Sequence, residues 1–183
     1  MSKNSIGLIE LTSIAAGYQA TDTMLKAADV AVVLSRSICS GKYMVMVRGD
    51  VAAVDAAVKA GSRGGHFSVV DSLVIPNLHE SIFPALSGIT KVEVLEALGI
   101  VESFSVASLI EGADAAVTTS NVQLIEIRLA MALGGKAFLT LTGSVSAVES
   151  AVAAGAQVVG ATGMLVNKVV IASPRPELLN EMI

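Results

Sequence analysis

One cysteine occurs in the 183 residues, Cys39, within the run Ile38-Cys39-Ser40-Gly41-Lys42, where serine and glycine suit a tight turn. A thiolate is a soft ligand for metals, among them copper(I), zinc and the iron of iron–sulfur clusters. A lone cysteine in a turn otherwise acts as a small apolar residue. No second cysteine and no histidine lies in this turn, so any cluster held here has to be shared between chains. His66 and His79 stand in different elements, neither with a cysteine or carboxylate at metal-ligand spacing. Residues 61–65 are glycine-rich but match neither nucleotide-binding loop pattern. Arg48-Gly49-Asp50 reads as a strand-to-helix turn with Asp50 as the helix N-cap. No Ser-His-Asp set or carboxylate pair can be assembled, so the expectation is a protein that is not an enzyme.

Composition narrows the partners. Hydrophobic residues make up 53% and charged ones 15%, yet the apolar residues are broken up by polar ones. The runs fall short of the roughly 20 residues that a membrane span needs. Net charge is −4, with no basic run, which argues against nucleic acid. The first residues carry no basic-then-apolar leader, and a single cysteine suits the reducing cytosol. So much small apolar surface implies burial in cores or between subunits.

The elements that must position Cys39 occur twice. Ile6-Gly7-Leu8-Ile9-Glu10 returns as Leu98-Gly99-Ile100-Val101-Glu102, a shift of 92 that also pairs Ser13 with Ser105, Asp22 with Asp114 and Arg36 with Arg128. Beyond the turn the shift is 94, pairing Gly41-Lys42 with Gly135-Lys136 and Ala60-Gly61 with Ala154-Gly155. Near the end, Ile75 stands opposite Ile171. Each copy predicts a strand (6–11), a helix opened by Ser13 (13–28), two strands joined by the Cys39 turn (30–38, 43–47), a helix behind Asp50, a strand (69–75) and a short helix (80–86). The expected fold is α/β (α+β). Two domains (5–87 and 97–183, with a linker at 88–96) each have a mainly antiparallel four-stranded, ferredoxin-like sheet with helices.

Read together, Gly7-Leu8-Ile9-Glu10, the helix end 22–28, Ser40-Gly41-Lys42, Val47-Arg48-Gly49-Asp50-Val51 and Ile75-Pro76-Asn77-Leu78-His79-Glu80 resemble the bacterial microcompartment (BMC) shell protein family. Within it the chain looks most like the tandem-domain trimeric type of propanediol-utilisation compartments. The resemblance implies a homotrimer whose six domains form a pseudohexameric tile, lying with other shell proteins in a flat layer.

It further implies that the turns between the second and third strands face the central axis. Those turns are Ile38, Cys39, Ser40, Gly41 and Lys42 in the first copy, and 130–136 in the second, with Met131, Ala132, Leu133, Gly134 and Gly135. Proteins of that type bind a 4Fe–4S cluster at this position, which carries to Cys39 the role of metal ligand, one per subunit, for electron or cluster transfer and possible service to an encapsulated redox enzyme. Lys26, Asn77 and Arg175 are the implied tile-edge contacts, with Arg175 read as standing where the first copy has Asn77. Two other readings remain: a purely structural tile with a metabolite pore and no metal, and a small-molecule-binding regulator of duplicated ferredoxin-like domains.

Overall fold

The computed structural model describes residues 4–130, 133–175 and 177–180. It divides into two compact units, Met1–Leu78 and His79–Ile183.

The first unit runs β1 (Ser5–Leu11), α1 (Ile14–Ala27), β2 (Ala31–Ile38), a single 3-10 turn (Cys39–Gly41), β3 (Lys42–Gly49), α2 (Val51–Gly65) and β4 (Val69–Ile75). Its four strands lie in the order β2-β3-β1-β4, every pair antiparallel. This is the split βαβ arrangement expected from the alternation of strand and helix patterns. The two helices cover one face, where Ile9, Leu11, Val45 and Val47 meet Ala20, Met24, Val54, Ala57 and Val58 in a closed core. Strand alternation puts Ile9 and Leu11 on that face and Leu8 and Glu10 on the other. Ser13 starts α1 as expected, its hydroxyl accepting from the Ala16 N–H at 3.3 Å. Asp50 does precede α2, but its Oδ1 is buried without a hydrogen-bond partner. Its counterpart Ser144 accepts from the Ala147 N–H instead.

The second unit begins with α3 (Ile82–Ser87), followed by β5 (Ala97–Ser103), α4 (Val106–Thr119), β6 (Gln123–Leu129), β7 (Ala137–Gly143), α5 (Val145–Ala161), β8 (Leu165–Ile171) and α6 (Glu177–Asn180). Its sheet order, β6-β7-β5-β8, repeats the first. Helices α4 and α5 approach at paired glycines, where a Cβ on Gly155 would stand 2.8 Å from the Gly112 carbonyl oxygen.

The duplication extends to irregularities. The β2–β3 register shifts between Val32 and Leu34, and the β6–β7 register between Leu124 and Glu126, 92 residues on. A second shift, at Glu10/Leu11, returns at Glu102/Ser103. The caps agree as well: Ser13 has φ −118° and ψ 126°, Ser105 φ −120° and ψ 125°.

One boundary differs from expectation. The first domain was expected to reach residue 87, but residues 79–87 side with the second unit. The cause is packing: Ile82, Phe83 and Ala85 of α3 are buried, and the helix lies against β6 and α4. Residues 88–96 join the same unit, where the Gln123 side-chain amide donates to the Lys91 carbonyl at 2.7 Å. Among the described residues no helix is long and apolar enough to cross a membrane.

Candidate functional site

The turn that carries Cys39 is held from both sides. Ile38 and Lys42 face each other as the last β2–β3 pair, and Cys39–Gly41 close the gap in one 3-10 turn. Gly41 sits at φ +71°, the left-handed region that costs a side-chain-bearing residue roughly 1 kcal/mol or more. Cys39 is a half-buried thiol outside any disulfide.

Below the turn, Lys42 Nζ donates to Glu10 Oε1 at 2.7 Å. This pair ties the start of β3 to β1, and both side chains are partly withdrawn from solvent, at 35% and 19% exposure. Sequence reasoning placed Lys42 at the turn without naming a partner, which lies 32 residues away. The available signal was the repeat itself, because Glu10 and Lys42 recur as Glu102 and Lys136. Those two also form an ion pair, Nζ to Oε1 at 2.5 Å.

The second turn is built differently. The Ala130 N–H donates to the Lys136 carbonyl at 3.1 Å, and the Lys136 N–H to the Leu133 carbonyl at 3.1 Å. Ala130, Gly134 and Gly135 have φ of +46°, +62° and +89°. Met131 and Ala132 lie outside the described residues. The wider loop contains no cysteine, so the two turns share a base and differ at the tip.

Arg36 and Arg128, a repeat pair near the two turns, diverge in the same way. Arg128 Nη2 donates to Glu126 Oε2 at 2.9 Å, and its guanidinium lies 5.6 Å from the centre of the Phe138 ring. The first copy has Leu34 and Met44 in the places of Glu126 and Phe138. Arg36 Nε is buried without a hydrogen-bond partner, and desolvation lowers the pKa of its guanidinium below the ordinary value.

The three edge candidates lie on other segments than the turn. Lys26 pairs with Asp22 at 2.6 Å on the exposed side of α1. Asn77 adopts φ +55°, and its N–H donates to the Ser5 hydroxyl at 3.4 Å. Arg175 is exposed. Ile75 pairs with Ile6 as Ile171 pairs with Leu98, so the strand registers match the two repeats as far as Ile171. The His79 ring Nδ1 lies 2.8 Å from the Ser81 hydroxyl, and its backbone N–H donates to Asp114 Oδ1 of α4 at 2.7 Å.

Among the described residues no group of three or more His, Cys, Asp or Glu could hold a metal ion. A ligand set around Cys39 therefore needs further copies of the chain.

The BMC domain model matches this chain twice, at residues 5–78 and 97–174. The chain belongs to the BMC-domain family of microcompartment shell proteins. Both BMC-domain matches fall on the units' sheets and main helices. Over 179 residues the chain is 44% identical to the bacterial microcompartment shell protein PduT of Citrobacter freundii, spanning 98% of this chain and 97% of that one. A solved microcompartment protein from Desulfitobacterium hafniense superposes with a TM-score of 0.94 at 50% identity, covering 96% and 98% of the two chains. The single-repeat shell protein PduA of C. freundii is 37% identical over 86 residues, 45% of this chain and 90% of its own. Tandem BMC domains and the expected α/β class are thus established.

Proposed function

We propose that three copies of this chain form a flat six-domain tile in a microcompartment shell, with the three Cys39 turns converging on its axis to bind one 4Fe–4S cluster. The observation that carries the reading is the difference between the two turns: the same Lys–Glu base supports a cysteine tip in one repeat and a glycine-rich tip in the other. In a ring of alternating repeats that difference leaves three thiols, not six, around the axis.

The donor chemistry fits. Cys39 is half-buried at a turn tip rather than sealed in the core, and three thiolates suit three irons of a four-iron cluster. The fourth iron is left for water, a small ligand or an external donor. When bound, such a cluster supplies one-electron transfer. The chain's own part is to hold the thiol in place: the left-handed Gly41 lets the turn close, and the Lys42–Glu10 pair anchors it to β1. Backbone N–H groups at Ser40 and Gly41 would be available as donors to the sulfurs of a bound cluster, which tunes its potential. Electrons or cluster components would cross the shell here, to or from an encapsulated redox enzyme. Lys26, Asn77 and Arg175 are the proposed contacts to neighbouring shell proteins.

Iron and acid-labile sulfide in anaerobically purified trimer test the reading. About four of each per three chains are expected for one such cluster, with absorbance near 400 nm, and Cys39→Ser should abolish both. A colourless, iron-free trimer after anaerobic reconstitution would leave a structural tile with a metabolite pore.

A further inference from the structure

The outer strands β2 and β6 are repeat counterparts, yet they are covered differently. On β6, Leu124, Ile125 and Ile127 are 1%, 4% and 4% exposed, and α3 packs along that strand. The shift of 92 maps them to Val32, Val33 and Ser35 of β2. Val32 is 43% exposed and Val33 is only half-buried, while the Ser35 hydroxyl is bonded to those of Thr21 on α1 and Tyr43. Among the described elements α1 approaches β2 as α4 approaches β6, but none takes the place of α3.

The helix that could fill that place exists elsewhere in the chain. Helix α3 follows β4, and its counterpart is the segment that follows β8. Counted without a gap from Ile75 and Ile171, Ile82 and Phe83 fall on Leu178 and Leu179. Ile82 is fully buried and Phe83 is 9% exposed, whereas Leu178 of α6 is 40% exposed. Among the described residues, then, β2 has no helix in the place of α3, and α6 leaves Leu178 exposed.

We propose that α6 of one chain docks on β2 of a second copy, in the way that α3 docks on β6. Charge complementarity points the same way. Arg36 of β2 lacks the acidic neighbour that serves Arg128, and its Nε is buried without an acceptor. The incoming helix carries Glu177 in its first turn, where Ser81 stands before α3. The contact is head-to-tail, α6 to β2, so it closes only in a ring. Closure with three chains rests on the trimeric reading above; the docking itself does not.

Sedimentation equilibrium of the full chain reads assembly, and hydrogen exchange at residues 31–38 reads whether β2 is covered. Wild type is expected to form trimers with slow exchange at 31–38. Leu178→Asp alters a side chain exposed in the single chain; it should weaken assembly at least about tenfold and free 31–38 to exchange. Val32→Asp should do the same from the other side, with circular dichroism verifying that both variants fold. Trimers that survive Leu178→Asp with 31–38 still protected overturn the docking and leave the trimer standing. Dimers or open chains that Leu178→Asp dissociates uphold the docking and remove the trimer. A wild-type chain that stays monomeric at all concentrations removes both.

Discussion

Lys42 Nζ lies 2.7 Å from Glu10 Oε1, and 94 and 92 residues further on Lys136 and Glu102 repeat the contact. Conservation of an ion pair between two repeats whose turn tips have diverged marks it as the shared base of both turns. A double-mutant cycle with Glu10→Gln and Lys42→Met is expected to give a coupling of about 1 kcal/mol, at the upper end for partly exposed pairs. The same cycle at Glu102 and Lys136 should give a similar value. Amide exchange at residues 39–41 should quicken in Glu10→Gln; unchanged exchange would show that the turn stands without the pair.

Arg36 and Arg128 are expected to respond oppositely to methionine. In Arg128→Met the half-buried Glu126 loses its partner and the Phe138 ring loses its cation, so the single chain should be destabilised by about 1 kcal/mol. In Arg36→Met a desolvated guanidinium with an unsatisfied Nε is replaced by an apolar chain, so the dilute, unassembled protein should be as stable as wild type or more so. Urea unfolding below the assembly concentration measures both. Equal losses would mean that Arg36 is satisfied within its own chain.

Lys26 is paired with Asp22, and both side chains are largely in solvent, at 75% and 62% exposure. Lys26→Ala should therefore shift folding stability by no more than about 0.5 kcal/mol. If Lys26 is a tile-edge contact, the same variant should lose extended flat sheets in electron micrographs while keeping discrete tiles. Sheets of wild-type extent would remove Lys26 from the edge.

The strands and their order were readable because alternation and turn residues report directly on pairing, and the duplication because matched glycines and charges recur in order. What escaped depended on contacts between distant positions. The partner of Lys42 lies on β1, 32 residues back, and local patterning cannot choose among the acidic residues available. Helix α3 looked like the end of the first domain because it follows β4, but its buried Ile82 and Phe83 place it with β6. Asp50 has the right type and position for an N-cap, yet its Oδ1 faces no donor. Cys39 was found at once because it has no rival in the chain. Its environment beyond one chain is a property of the assembly.

The seating of α3 on β6 also bears on how tiles would form. A contact made within one chain survives any dilution, because its effective concentration is set by the tether and not by the solution. If the ring alternates this built-in contact with the α6–β2 contact, half of its helix-on-strand joints are already made when synthesis ends. Assembly from fused pairs then depends far less steeply on protein concentration than assembly from separate domains.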